Sequence, residues 1–181
     1  MSKAETTKKV ILEAANRVIQ REGVAKLTLE TVAAEAKVSK GGLLYHFPNK
    51  NALIMGMIDY FLGNFEGILD QSKTDDPREW LRGYVRSTFD MTNSQLDDSR
   101  ALIAAIANQP ELLARVREKY ADWQALAEAT GIDPALATVI RLAADGLWFT
   151  ELLGINVISD DLYPRVERAI LALMDKDKKE G

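Results

Sequence analysis

Apolar residues recur along this chain at helical spacing, and no stretch alternates apolar and polar residues as a half-buried strand would. Val10, Ile11, Ala14, Ala15, Val18 and Ile19 form one stripe of a first helix, for which Gly23 is a well-placed stop. Thr28 then opens a short helix with Leu29, Val32, Ala33 and Ala36 inward. After the break Ala36-Lys37-Val38, Ser39 can cap a third helix, stapled by Val38 before the cap and Leu43 after it. Pro48 disfavours helix at Phe47 and ends the unit, whose shared apolar centre includes Leu43 and Phe47.

A long fourth helix follows over 49–71, with Leu53, Met57, Tyr60, Phe61 and Ile68 inward. Further helices are predicted at 76–94, 97–108, 111–130, 134–154 and 160–175, giving an all-α chain of about nine helices. Asp133-Pro134 reads as a cap followed by a first-turn proline, and Gly154 as a helix stop.

Two short helices joined by a tight turn, behind a longer supporting helix, make a helix-turn-helix plan over residues 6–50. In that plan the second short helix enters the major groove, N-terminus first. Ser39, Lys40, Gly41 and Gly42 are small or cationic, so the backbone can approach the groove floor, and its N–H groups suit a phosphate oxygen. Each glycine inside a helix costs about 1 kcal/mol relative to alanine, so two in succession need a reason, and close approach to DNA is one.

Net charge supports this split of roles. The chain as a whole carries −4, which is unpromising for a nucleic-acid binder. Residues 1–50, however, hold nine basic and five acidic residues, a net of +4; the rest hold fourteen and twenty-two, a net of −8. A cationic end on an acidic body attracts a polyanion through that end only. An architectural protein, which spreads positive charge broadly, fits poorly.

The run from Thr28 to Lys50 resembles the TetR family of transcriptional regulators, with Val38-Ser39-Lys40-Gly41, Tyr45-His46-Phe47 and a lysine two residues beyond Pro48 in place. The resemblance implies that Thr28, Tyr45, His46 and Lys50 touch phosphates while Ser39, Lys40, Gly41 and Gly42 face the bases. Lys37 departs from the pattern, standing where the family has a turn glycine; either the turn differs or a non-glycine residue accepts an uncommon backbone angle. Leu44 stands where tyrosine is more common. From the residues alone, His46 could be a packing residue, Tyr45 could lie against the first helix, and Lys40 and Lys50 could be solvated.

The division expected is a DNA-binding head, 1–50, and a helical regulatory and dimerisation domain, 51–181. The helix from Ala135 to Leu153 offers small residues (Ala137, Ala143, Ala144, Gly146) beside Leu136, Ile140, Leu147 and Leu152. The last helix offers Val166, Ala169, Ile170 and Leu173. These stripes could serve the monomer core alone; the resemblance implies a homodimer through the last two helices. Phe61, Phe65, Trp80, Tyr84, Phe89, Trp123 and Trp148, with Tyr120 and Phe149, are either plain core or the lining of an apolar small-molecule site. Arg82, Arg86, Asn108, Gln109 and Asp145 are possible polar anchors.

The expected function is a ligand-responsive repressor that binds a palindromic double-stranded DNA operator as a dimer and is released by a small, largely apolar effector. No cofactor or metal is expected. Catalysis is not expected either: there is no cysteine, and the one histidine lies in the DNA motif. The acidic pairs Asp75-Asp76, Asp97-Asp98 and Asp160-Asp161 adjoin predicted helix starts, where the helix dipole favours them. With no signal peptide legible at Met1–Glu5 and no apolar run approaching the roughly 20 residues of a membrane span, the expected location is cytoplasmic, away from membranes.

Overall fold

Side-chain caps set where most helices begin. The computed structural model describes residues 2–70, 76–91, 93–107 and 110–176. Ser2 caps α1 (Lys3–Glu22) in a reciprocal box with Glu5, and Thr28 caps α2 (Leu29–Glu35) in another with Thr31. The Ser39 hydroxyl accepts from Gly42 N at 3.0 Å and starts α3 (Lys40–His46). Asn49 Oδ1 accepts from Ala52 N at 2.8 Å at the head of α4 (Lys50–Asp70). Asp76 caps α5 (Pro77–Phe89) and Asp133 caps α8 (Pro134–Leu153), each with proline in the first turn. Between them run α6 (Asn93–Ile106) and α7 (Leu113–Glu128), and α9 (Tyr163–Lys176) closes the chain. Among the described residues there are nine α-helices and no strand.

The chain divides into two units. The first comprises residues 1–63 and 97–117, the second residues 64–96 and 118–181, so α4, α6 and α7 each contribute to both. In the first unit Ile11, Leu12, Val18, Val32, Leu43, Phe47, Leu53, Ile54 and Ile58 are buried. In the second, α5 packs on α8 and α9 around Leu81, Tyr84, Val85, Ile140, Ala144, Leu147, Ile170 and Met174.

Several expectations are corrected. Val10 lies on the exposed side of α1, and Leu12 takes its place inside. On α4, Ile68 is exposed, while Ile54, Ile58, Leu62 and Leu69 face inward. The fifth helix stops at Phe89, where Asp90 adopts φ −89°, ψ 6°, and the sixth begins at Asn93, so Asp97 and Asp98 lie inside a helix instead of at its start. Asp160 and Asp161 lie in a turn ahead of α9, whose Ser159 carbonyl accepts from Leu162 N and Tyr163 N at 2.9 Å. Asp75, Asn108 and Gln109 lie outside the described residues. The apolar run Lys50–Leu69 does reach the length and composition of a membrane span. Its Leu53, Ile54, Met57, Ile58 and Leu62 are buried within the protein.

On α8 the expected self-association residues fall on two faces. Ala137, Ile140, Ala144, Leu147 and Leu152 are buried within the chain, whereas Ala143 and Gly146 are exposed. The outward stripe also carries Val139, Leu142 and Leu153, none of which stood out in the sequence, and Phe149, which the sequence offered as core or pocket lining. Their spacing alternates threes and fours with Gly146, the period of a helix–helix seam.

Candidate nucleic-acid interface and ligand core

The α2–α3 turn is built on an uncommon backbone angle. Val38 N donates to Ala33 O at 3.0 Å and Lys37 N to Ala34 O at 3.2 Å, the two bonds of a Schellman closure. That closure places Lys37 at φ 55°, the only positive φ on a non-glycine residue among the described ones. The turn geometry is therefore kept and lysine accepts the angle.

The turn presents α3 outward. Leu43 and Phe47 are fully inside, with Lys8 Nζ 5.9 Å from the centre of the Phe47 ring. Ser39, Lys40 and Gly41 are exposed, and Tyr45 is 81% exposed. Tyr45 thus does not pack on α1; its ring meets His46 edge-on at 5.1 Å, and half-buried His46 lies 6.4 Å from Phe47. A Cβ on Gly41 would meet nothing within 4 Å, so the fold does not itself require glycine there. Gly42 is tighter, with a Cβ falling 3.2 Å from Ser39 Oγ.

Charge around α3 is partly committed. Lys40 Nζ lies 2.6 Å from Glu30 Oε1. Arg17 and Arg21 of α1 both reach Glu35 of α2, at 2.8 and 2.9 Å, and hold its carboxyl below the usual range. Among the described residues of the head Lys3, Lys8, Lys26, Lys37 and Lys50 form no ion pair. Thr28 is exposed, but its hydroxyl is engaged with Thr31 N at 3.1 Å and Thr31 Oγ1 at 3.0 Å.

Six of the seven aromatic residues offered for a ligand lie in the second unit, and four of them meet. Phe65 meets Tyr84 at 5.4 Å and Trp123 at 5.1 Å; Trp80 meets Tyr84 at 5.4 Å; Tyr84 meets Trp123 at 5.8 Å. Tyr120 adds a fifth ring, 5.0 Å from Trp123. Phe89 pairs instead with Tyr163, and Trp148 with Phe149. Phe61 falls in the first unit.

A buried polar chain runs through these rings. Tyr84 Oη donates to Asp145 Oδ1 at 2.6 Å, and Arg141 Nη1 donates to Asp145 Oδ2 at 2.6 Å. Arg141 Nε donates to Gln124 Oε1 at 2.9 Å, and its guanidinium sits 5.8 Å over the Tyr120 ring. Burial raises the Asp145 carboxyl against the opposing pull of Tyr84 and Arg141. It also drives the Tyr84 hydroxyl far above its ordinary value and pushes Tyr120 up to about 12. Of the other polar anchors considered, Arg82 pairs with Glu79 and Asp175, and Arg86 is exposed. No group of three or more His, Cys, Asp or Glu among the described residues is placed to hold a metal ion.

Two family descriptions match separate parts of the chain. The family described as tetracyclin repressor-like, C-terminal domain, matches residues 78–175, and that of bacterial regulatory proteins, tetR family, matches residues 11–56. The chain belongs to the TetR family. Among its relatives, the HTH-type transcriptional regulator TtgR of Pseudomonas putida is 32% identical over 97 residues, covering 54% of this chain and 46% of TtgR. The chain spans about half the length or less of the first relatives it matches. A TetR-family member from Streptomyces coelicolor A3 superimposes with a TM-score of 0.68 at 23% identity, covering 93% of this chain and 98% of its own. The multidrug binding protein EbrR, complexed with malachite green, gives 0.71 at 22% identity, with 92% and 97% covered. At these identities the two structures establish the TetR fold.

Within that TetR frame, three features escaped sequence reading. Glu30 was hidden because its partner Lys40 is ten residues away, beyond any helical spacing rule. Gly56 of α4 is buried where a Cβ would fall 2.5 Å from Phe47 Cε1, so glycine lets the end of α3 seat on α4. Arg141 had a signal: a lone cation in an apolar helix, four residues before Asp145.

Proposed function

We propose that this TetR-family chain is a cytoplasmic, ligand-responsive repressor that binds a palindromic operator as a homodimer and is released by a small, largely apolar molecule. The exposed rim of α3 is the observation that carries this reading. Lys40, Gly41 and Tyr45 lie open along this rim, a cation, a residue with no side chain and a hydroxyl-bearing ring within reach of a duplex. In this reading Ser39, Lys40, Gly41 and Gly42 meet base edges, while Thr28, Tyr45, His46 and Lys50 meet phosphates. Thr28 then contacts phosphate without giving up its cap, since a hydroxyl both donates and accepts.

Half-sites one helical turn apart need two heads, and the outward apolar stripe of α8, Val139, Leu142, Gly146, Phe149 and Leu153, supports pairing of two copies. The aromatic core of the second unit supports an effector site, and EbrR, a multidrug binding protein of the same fold, takes malachite green. An effector that binds the released state better than the DNA-bound one shifts the equilibrium without catalysis, metal or cofactor.

Selection from a random duplex pool, followed by light scattering of the selected complex, tests the reading. The expected result is an inverted repeat bound by two copies. Recovery of no common sequence, or of a single half-site bound by one copy, overturns it.

A further inference from the structure

The hydrogen-bonding capacity left over in the second unit is all of one kind. Among the described residues three buried side-chain polar atoms have no partner, and all three are N–H groups: Trp123 Nε1, Trp148 Nε1 and Arg78 Nη1. Trp123 is only 4% exposed and stands among Phe65, Tyr84 and Tyr120. An indole nitrogen can donate but never accept, and a buried donor without an acceptor is unfavourable.

The acceptors of the polar chain each already take another donor. Asp145 uses one oxygen for Tyr84 and the other for Arg141, and Gln124 gives its oxygen to Arg141. The Gln124 amide nitrogen in turn donates to Glu128 at 2.7 Å and Thr138 at 2.8 Å. Asp145 is thus not a free carboxylate awaiting an organic cation, because a cation would have to displace the guanidinium that neutralises it. Arg141, Asp145 and Trp148 stand at i, i+4 and i+7, so the second orphan indole shares this face of α8.

We propose that this core takes an aromatic molecule carrying an oxygen acceptor, with Trp123 Nε1 as its donor, and discriminates against organic cations. The inference rests on reading the second unit as the effector site. Flat rings supply the apolar contact, and the unmatched indole supplies the polarity that fixes orientation. It names a ligand chemistry complementary to what the fold leaves unsatisfied.

The test uses full-length protein labelled at the indole nitrogens and four probes of one ring size: acetophenone, benzoate, ethylbenzene and benzylammonium. The three indole signals are assigned with Trp80→Phe, Trp123→Phe and Trp148→Phe, each checked for native circular dichroism. Acetophenone or benzoate is expected to move the Trp123 indole proton downfield, as hydrogen bonding does, while ethylbenzene leaves it near its free position. The better of the two oxygen-bearing probes is expected to bind about tenfold more tightly than ethylbenzene. Trp123→Phe should erase that preference and Trp80→Phe should keep it.

Tighter binding of benzylammonium, equal shifts with ethylbenzene, or a Trp123 proton unmoved by all four probes would each overturn the inference. Affinity for the selected duplex is measured on the same preparation. Failure to bind any duplex defeats the regulator reading while leaving the indole result to stand or fall separately.

Discussion

Lys40 Nζ at the tip of α3 lies 2.6 Å from Glu30 Oε1 on α2, so a cation proposed to meet DNA is already half satisfied. Glu30's carboxyl is held below its ordinary range by the hydrogen bond from that ammonium. Both groups are solvent-exposed, so the pair contributes little to folding and acts chiefly on binding. DNA must compete with Glu30 for Lys40. Glu30→Gln should therefore leave the melting temperature unchanged and strengthen binding to random duplex several-fold at low salt. Lys40→Ala should flatten the salt dependence by about one charge. Fluorescence anisotropy across a salt series reads both; an unchanged slope in Lys40→Ala means that the Lys40 charge takes no part in binding DNA.

Gly41 should show opposite signs in stability and in binding. A Cβ there meets open space in the free protein, so Gly41→Ala should gain up to about 1 kcal/mol of helix propensity. The same methyl group should weaken binding to the selected duplex at least tenfold if the backbone must approach the groove floor. Gly42→Ala should lose on both counts, because its Cβ crowds the Ser39 cap at 3.2 Å. Thermal melts and anisotropy on the same preparations check this. A Gly41→Ala protein with undiminished operator affinity would refute the close-approach argument.

Lys37 holds φ 55° in the closure of α2, where a side chain costs roughly 1–2 kcal/mol relative to glycine. Lys37→Gly relieves that strain but adds freedom to the unfolded chain, worth about 0.4–1 kcal/mol in the other direction. The expected net is a stabilisation of about 0.5–1 kcal/mol, read by urea denaturation. A fall in stability would mean that the side chain of Lys37 makes good the strain. Lys37→Ala separates the two effects, since it keeps the strain and removes the charge.

Gly56→Ala should be strongly unfavourable. The new methyl would lie 2.5 Å from Phe47 Cε1 and 3.3 Å from Leu12 Cδ2, forcing the end of α3 away from α4. Overpacking of this kind typically costs about 1–3 kcal/mol. Phe47→Leu on the Gly56→Ala background should restore part of the loss, because it removes the ring that clashes. Denaturation curves of the two single variants and the double variant provide the comparison, and additive losses would argue against direct contact.

Asp98 of α6 gives the first unit a pH dependence. Its Oδ1 accepts from Asn16 Nδ2 and Gln20 Nε2 of α1, both at 3.2 Å, while burial first, and the charges of Asp97 and Glu13 after it, raise its carboxyl above the ordinary value. The folded state therefore holds this proton to higher pH than the unfolded state does. The resulting stabilisation is fully present below the ordinary carboxylate pKa and is lost as pH rises through the folded value. Asp98→Asn keeps an acceptor oxygen without the charge. Its melting temperature, relative to the parent, should improve more at about pH 7 than at about pH 4; an equal difference at both would show that Asp98 does not titrate differently on folding.

Much of the head was legible because its determinants are local. Caps at Thr28 and Ser39, the stop at Gly23 and the apolar stripe of α2 act over three to five residues, within reach of a spacing rule. The run from Lys40 to Lys50 likewise announced its exposed rim through residue type alone. The Leu44-Tyr45-His46 end was harder, since exposure of a tyrosine depends on what the rest of the fold places beside it. Tyr45 came to lie open and His46 half-covered only once α3 had been oriented by its closure with α2.

The sequence by itself determined the helical class, the cationic N-terminal quarter and the position of the helix-turn-helix, because periodicity, caps and charge are properties of neighbours along the chain. Only the tertiary structure decided which face of α8 is inside, which aromatic rings meet, that Glu30 holds Lys40, and that Gly56 makes room for Phe47. Those outcomes follow from packing between segments distant in sequence. Residue type alone does not distinguish an inward leucine from an outward one when both faces of a helix are apolar.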